Sequence, residues 1–125
     1  MAAPLPRPTD AELAILRVLW ERGPSTVRHV HEALAGSRET GYTTTLKLMQ
    51  IMAEKGLVTR DESSRTHVYA ARHSQDQTQR QLVADLMDRA FGGRSAALVM
   101  QALSAHPATP EELQEIRKLI EQYKR

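Results

Sequence analysis

The spacing of apolar residues changes character twice along this chain, and the order of those changes limits its folds more than any other feature. Up to Gly56 apolar side chains recur every three or four positions, the period of a helix with one buried face. Two short β-prone runs follow, residues 57–60 (LVTR) and 67–70 (HVYA), joined by the polar stretch 61–66 (DESSRT). Beyond residue 75 the helical spacing resumes and lasts to the end. Helices, one hairpin, then helices again describe a mainly α chain with a single β-ribbon.

The first helix opens on Thr9-Asp10-Ala11-Glu12, a capping box in which the Thr9 hydroxyl takes a first-turn amide and Glu12 reaches back. Leu13, Leu16 and Trp20, with Ile15, Val18 and Leu19 beside them, make it apolar around much of its circumference. Gly23-Pro24 ends it, and Ser25 or Thr26 starts a one-sided helix on Val27, Val30 and Leu34 whose outer face carries Arg28, His29 and Glu32. A third helix is expected over 43–55, with Thr45, Leu48, Met49 and Met52 inward and Gly56 as its left-handed terminator. Its other face shows Thr43, Thr44, Lys47, Gln50 and Glu54, with Leu46 and Ile51 at the margins. Three helices and a hairpin in this order match a winged helix-turn-helix, whose third helix enters the DNA major groove while the hairpin lies over the backbone.

Residues 72–75 (RHSQ) read as a linker, which divides the chain into a winged-helix DNA-binding domain over 1–72 and a helical dimerisation domain over 73–125. In the second, Leu82, Val83, Leu86, Met87, Ala90 and Phe91 give a helix that stops at Gly92-Gly93. Ala97 to Leu103 gives another. Thr109-Pro110-Glu111-Glu112 starts a third, with Pro in the first turn and acidic residues at the positive end of the helix dipole. So short a unit cannot cover all these apolar residues by itself. A second copy is expected to cover Leu82, Leu86, Phe91, Val99, Leu103, Leu113, Ile116 and Ile120.

Composition narrows the chemistry. No cysteine is present, which removes thiolate nucleophiles, disulfides and Cys-based metal sites. His29, His31, His67, His73 and His106 form no pair at helical i, i+4 spacing, and no HExxH or phosphate loop occurs, so neither enzyme, metal nor cofactor is expected. No apolar run approaches the ~18 residues of a membrane span, and the opening MAAPLPRPTD lacks a signal-peptide core, which points to a cytoplasmic protein without a membrane partner. Net charge is only +2, with the excess in the first 75 residues. Where the cations converge therefore matters more than their sum.

The third helix supplies the groove-reading chemistry. Thr43 and Thr44 offer hydroxyls and methyls at its start, Lys47 a cation one turn on, and Gln50 an amide able to pair with adenine. Tyr42, Arg28, Arg65 and His67 are expected along the DNA backbone. An alternative stays open: Leu46 and Ile51 at the rim would also suit a winged-helix module that binds another protein.

Four stretches carry a family resemblance: TDAELAILRVLWERGPSTVRHVHEAL, GYTTTLKLMQIMAEKGLVTRD, RTHVYAAR and LMDRAFGGRSAALVMQAL. Together they resemble the BlaI/MecI/CopY family of bacterial transcriptional repressors (penicillinase repressor-like) over nearly the whole chain. That resemblance implies a homodimer on a palindromic double-stranded DNA operator, repressing genes of β-lactam resistance or metal handling. Copper-responsive members carry a C-terminal cysteine cluster, which is missing here. Members that answer β-lactams are inactivated by a protease that cuts an Asn-Phe bond in the dimerisation arm; the matching stretch is Met100-Gln101-Ala102, and the implied cut lies at Gln101-Ala102. At the positions of Lys47 and Ile51 the family often has Thr and a basic residue, so its base preference does not carry over.

Overall fold

The computed structural model describes residues 5–37 and 39–124; residues 1–4 of the opening segment, Arg38 and Arg125 lie outside the described residues. Helix α1 spans Asp10–Arg22, α2 Val27–Leu34 and α3 Tyr42–Lys55; strands β1 (Val58–Asp61) and β2 (Val68–Ala71) follow, then α4 (Gln75–Ala90), α5 (Ser95–Ala105) and α6 (Pro110–Tyr123). Among the described residues no helix is long and apolar enough to cross a membrane. The chain forms two compact units that meet at Leu82 and Val83.

In the first unit α1 packs on α2, α3 and β2, and α3 on β1. The buried core draws on every element: Ile15, Leu16 and Leu19 from α1, Val27, Val30 and Leu34 from α2, Met49 and Met52 from α3, and Leu57, Val58 and Tyr69 around the ribbon. The capping box at Thr9 forms as expected, with the Glu12 amide donating to Thr9 Oγ1 (3.2 Å) and the Thr9 amide donating to Glu12 Oε1 (2.9 Å). Of the two starts considered for α2, Thr26 is the cap. Ser25 instead extends the ribbon: its N–H donates to the Tyr69 carbonyl (2.9 Å), and the Tyr69 N–H donates back to the Ser25 carbonyl (2.8 Å). Gly56 closes α3 at φ +83°, a backbone that L side chains rarely adopt, and the Leu57 amide returns to the Met52 carbonyl.

Strands β1 and β2 pair antiparallel in the register Val58↔Ala71 to Asp61↔Val68. The segment between them is thus residues 62–67, and His67 sits in the tip rather than in a strand.

Helix α4 begins well before its first apolar residue. Ser74 and Gln77 form a second capping box, each backbone amide donating to the other's side chain at 3.0 Å. The early turns belong to the first unit: Trp20 Nε1 donates to the His73 carbonyl (3.0 Å), Thr78 is buried, and Gln81 Nε2 donates to the Leu5 carbonyl. The first compact unit accordingly runs on to Leu82.

In the second unit, α4 stops where Gly93 donates its amide to the Met87 carbonyl. Thr109 caps α6 in a third capping box with Glu112. No described residue from Val83 onward is buried.

Candidate nucleic-acid interface

Helix α3 carries the candidate reading residues outward because its other face is anchored. Thr45, Met49 and Met52 are buried, so the row Thr43, Lys47 and Gln50, spaced four and three residues apart, points away from the core. Thr44 lies beside that row and is also exposed. The N-cap is Gly41, which offers no side-chain acceptor. First-turn amides of α3 therefore face outward without a cap, next to two threonine hydroxyls, which favours an anionic oxygen at that end.

A cleft of about 660 Å³ opens where α2, α3 and the wing meet. Arg28, Tyr42, Gln50, Arg65 and His67 all line it, which brings together side chains from three elements; Thr43, Thr44 and Lys47 lie outside it. Tyr42 is fixed from two sides, with the His31 ring edge-on at 5.9 Å and the Arg28 guanidinium 6.0 Å from its ring centre. Among the described residues, none of the ion pairs involves Arg28, Lys47 or Arg65. Those cations remain available to an external anion.

Two further charged residues line the cleft that sequence reasoning passed over. Arg60 Nη2 lies 3.0 Å from Glu62 Oε1, and His67 Nδ1 lies 4.0 Å from the same oxygen. The Arg60 guanidinium is held above its ordinary pKa, chiefly by donating to the Tyr69 side chain and then by the Glu62 charge. Strand alternation sets Arg60 on the same face as buried Val58, and the register places it directly opposite buried Tyr69.

Leu46 and Ile51 are half-buried, and Leu46 packs against the core. Among the described residues of this unit the only large apolar side chain that is exposed is Tyr42. Leu46 lines the cleft beside Tyr42 and Gln50.

The remaining expected residues lie in or next to the second unit. Leu86, Val99, Leu113 and Ile120 are exposed, with Leu86 at 47%, while Leu82, Phe91, Leu103 and Ile116 are half-buried. Val99, Ile116 and Ile120 share one groove between α5 and α6 with Leu119 and Tyr123.

The family model described as penicillinase repressor matches residues 8–122. The chain belongs to the penicillinase repressor family. Its relatives in that family include the transcriptional regulator BlaI of Mycobacterium tuberculosis (strain H37Rv), 42% identical over 100 residues that cover 78% of this chain and 72% of that protein. The penicillinase repressor of Bacillus licheniformis is 20% identical over 120 residues, 96% of this chain and 94% of that one. Among solved structures, the DNA-binding domain of the repressor BlaI superposes with a TM-score of 0.53 at 20% identity, over 61% of this chain and 93% of that domain. The Bacillus licheniformis BlaI monomeric form in complex with the blaP half-operator gives a TM-score of 0.52 at 20% identity, over 59% and 90%. The fold of the first unit is thus that of this repressor's DNA-binding domain, a winged helix.

Proposed function

We propose that this chain represses transcription as a homodimer, each copy placing α3 in one of two successive major grooves of a palindromic operator, about 34–36 Å apart. One observation carries the reading: an uncapped helix N-terminus and an exposed row of Thr43, Lys47 and Gln50 stand beside a cleft lined by Arg28 and Arg65, neither of which forms an ion pair among the described residues. In this arrangement Thr43, Thr44, Lys47 and Gln50 meet base edges, while Arg28, Tyr42, Arg65 and His67 hold the sugar-phosphate backbone. Half-operator binding by the Bacillus licheniformis relative supports the same placement. The chain acts in the cytoplasm, where its DNA is, by occupying a promoter and without catalysis or cofactor.

Dimerisation is supported by the second unit, which leaves Val83, Leu86, Val99, Met100, Leu113, Leu119, Ile120 and Tyr123 exposed. Apolar surface on this scale is the mark of an interface rather than of a finished monomer. Relief of repression by a protease at Gln101-Ala102 belongs to the same reading. Both residues are exposed but lie inside α5, so the helix must open locally before its backbone can enter a protease site.

Selection from a randomised DNA pool, followed by sequencing of the bound fraction, tests the proposal. A palindrome with half-sites about ten base pairs apart is expected. Background binding with no enriched sequence would refute sequence-specific repression.

A further inference from the structure

The wing delivers to the cleft a cation whose position is fixed by the core. Arg60 on β1 stands directly opposite Tyr69 on β2, so the two side chains leave the same face of the ribbon. Tyr69 is buried, and it lines the cleft together with its cross-strand partner Arg60. Arg60 therefore rises from the paired ribbon beside a core residue, not from the polar tip. Its second partner is Glu62, at 3.0 Å, and Glu62 is the only carboxylate among the described residues that line the cleft.

An acidic side chain is out of place in a cleft that receives a phosphodiester chain. Resting on the DNA-binding reading above, we propose that Arg60 is a further DNA-contacting residue, positioned by Tyr69, and that Glu62 is its internal counter-ion, displaced when a backbone phosphate takes the guanidinium. The exchange is inexpensive in one direction: with Arg60 33% and Glu62 56% exposed, the ion pair contributes little to stability. Arginine suits the incoming partner, because its planar fork matches phosphate oxygens and stays charged. Glu62 then repels any phosphate that does not displace it, which weakens every encounter and most of all those made without the support of base contacts.

The test uses the full chain and a fluorescently labelled mixed-sequence duplex of about 30 base pairs, long enough for two half-sites, with anisotropy titrations at several salt concentrations. Arg60→Ala is expected to weaken binding about fivefold or more and to lower the log–log salt slope by about one per bound wing. Arg60→Lys, which keeps the charge, should restore most of the slope. Glu62→Gln is expected to tighten low-salt binding about threefold, a gain that should largely vanish when Arg60 is already alanine, because the two residues are coupled. If Arg60→Ala loses its fold, Glu62→Gln alone still decides, since Glu62 is exposed and outside the core: no tightening of low-salt binding in the otherwise unaltered chain would overturn the counter-ion role. Unchanged affinity and slope in a folded Arg60→Ala would overturn the proposal, as would an equal Glu62→Gln gain in both backgrounds. Failure of the unaltered chain to bind the duplex at any salt would overturn the repressor reading itself, whereas binding that ignores Arg60 overturns only this inference.

Discussion

Replacing Lys55 by methionine should destabilise the first unit through a residue far away in sequence. Glu12 is only 2% exposed, yet its carboxylate accepts from Lys55 Nζ at 2.8 and 3.0 Å and from the Thr9 amide. Removing one partner of a fully buried ion pair costs about 3–5 kcal/mol, because the other charge is left without compensation. Lys55 is itself 35% exposed, so part of that cost is already screened by water, and about 1–2 kcal/mol is the appropriate figure. For a unit of this size that corresponds to a fall in Tm of about 5–15 °C. Trp20, the only tryptophan, sits on α1 and gives a fluorescence signal local to this unit. The pH dependence identifies the cause. Burial raises the Glu12 pKa, but the Lys55 hydrogen bond, the Thr9 amide and the Lys55 charge outweigh it and hold the carboxyl below its ordinary value. A depressed carboxyl contributes its stability in full above the unfolded pKa, about 4.3, and loses it as pH falls through the folded value. In Lys55→Met both Lys55 contributions are lost while burial and the Thr9 bonds remain, so the ionised carboxylate contributes less stability at neutral pH than in the unaltered chain. The gap between the two proteins should therefore be widest near pH 7 and close below about pH 4. A Tm unchanged by the substitution, or a gap that stays constant across that range, would refute the reasoning.

Lys47→Ala should weaken operator binding by about 1–3 kcal/mol while leaving the melting curve in place, read by anisotropy and circular dichroism. Leu86→Glu should halve the mass in light scattering and weaken operator binding through loss of the second half-site, because it buries a charge where two apolar faces meet; a retained dimer mass would remove Leu86 from the interface. Gly56→Ala should lower first-unit stability by about 1–2 kcal/mol, from the strain at φ +83° rather than from a clash, since the nearest atom to an added Cβ is an Arg72 side-chain nitrogen at 3.4 Å.

The elements that were legible in the sequence are those whose signals are local. Thr9 and Glu12 announce α1, Gly56 ends α3 and Thr109 to Glu112 opens α6, each within one helical turn. The start of α4 was hidden because its first seven residues, QDQTQRQ, carry no apolar stripe; the signal that was there, Ser74 and Gln77 at capping-box spacing, is polar and short. Pairings across the fold had no local mark at all. Lys55 meets Glu12 over 43 residues, and Ser25 meets Tyr69 only because the α1–α2 turn passes the wing. The same division holds at the cleft. Gln50 could be read off one helical face with Thr43 and Lys47, which lie beside the cleft, whereas Arg60 gains its place from the strand register that sets it opposite Tyr69.

The two units differ in how far each can be complete by itself, and this difference gives the proposed repressor its cooperativity. The first closes a core from α1, α2, α3 and the ribbon, and its reading face is fixed without help. In the second no described residue is fully buried, and large apolar side chains such as Leu86, Met100 and Ile120 stay exposed. In the proposed dimer a second copy covers them and holds two reading helices together, so that DNA binding by one raises the effective concentration of the other at the adjoining half-site. On that proposal, affinity for the whole operator depends on apolar residues that touch no DNA. A change at Leu86 or Ile120 and a change at Lys47 would weaken the same complex by different routes: the first pair through the concentration at which two copies associate, the last through contacts within each half-site.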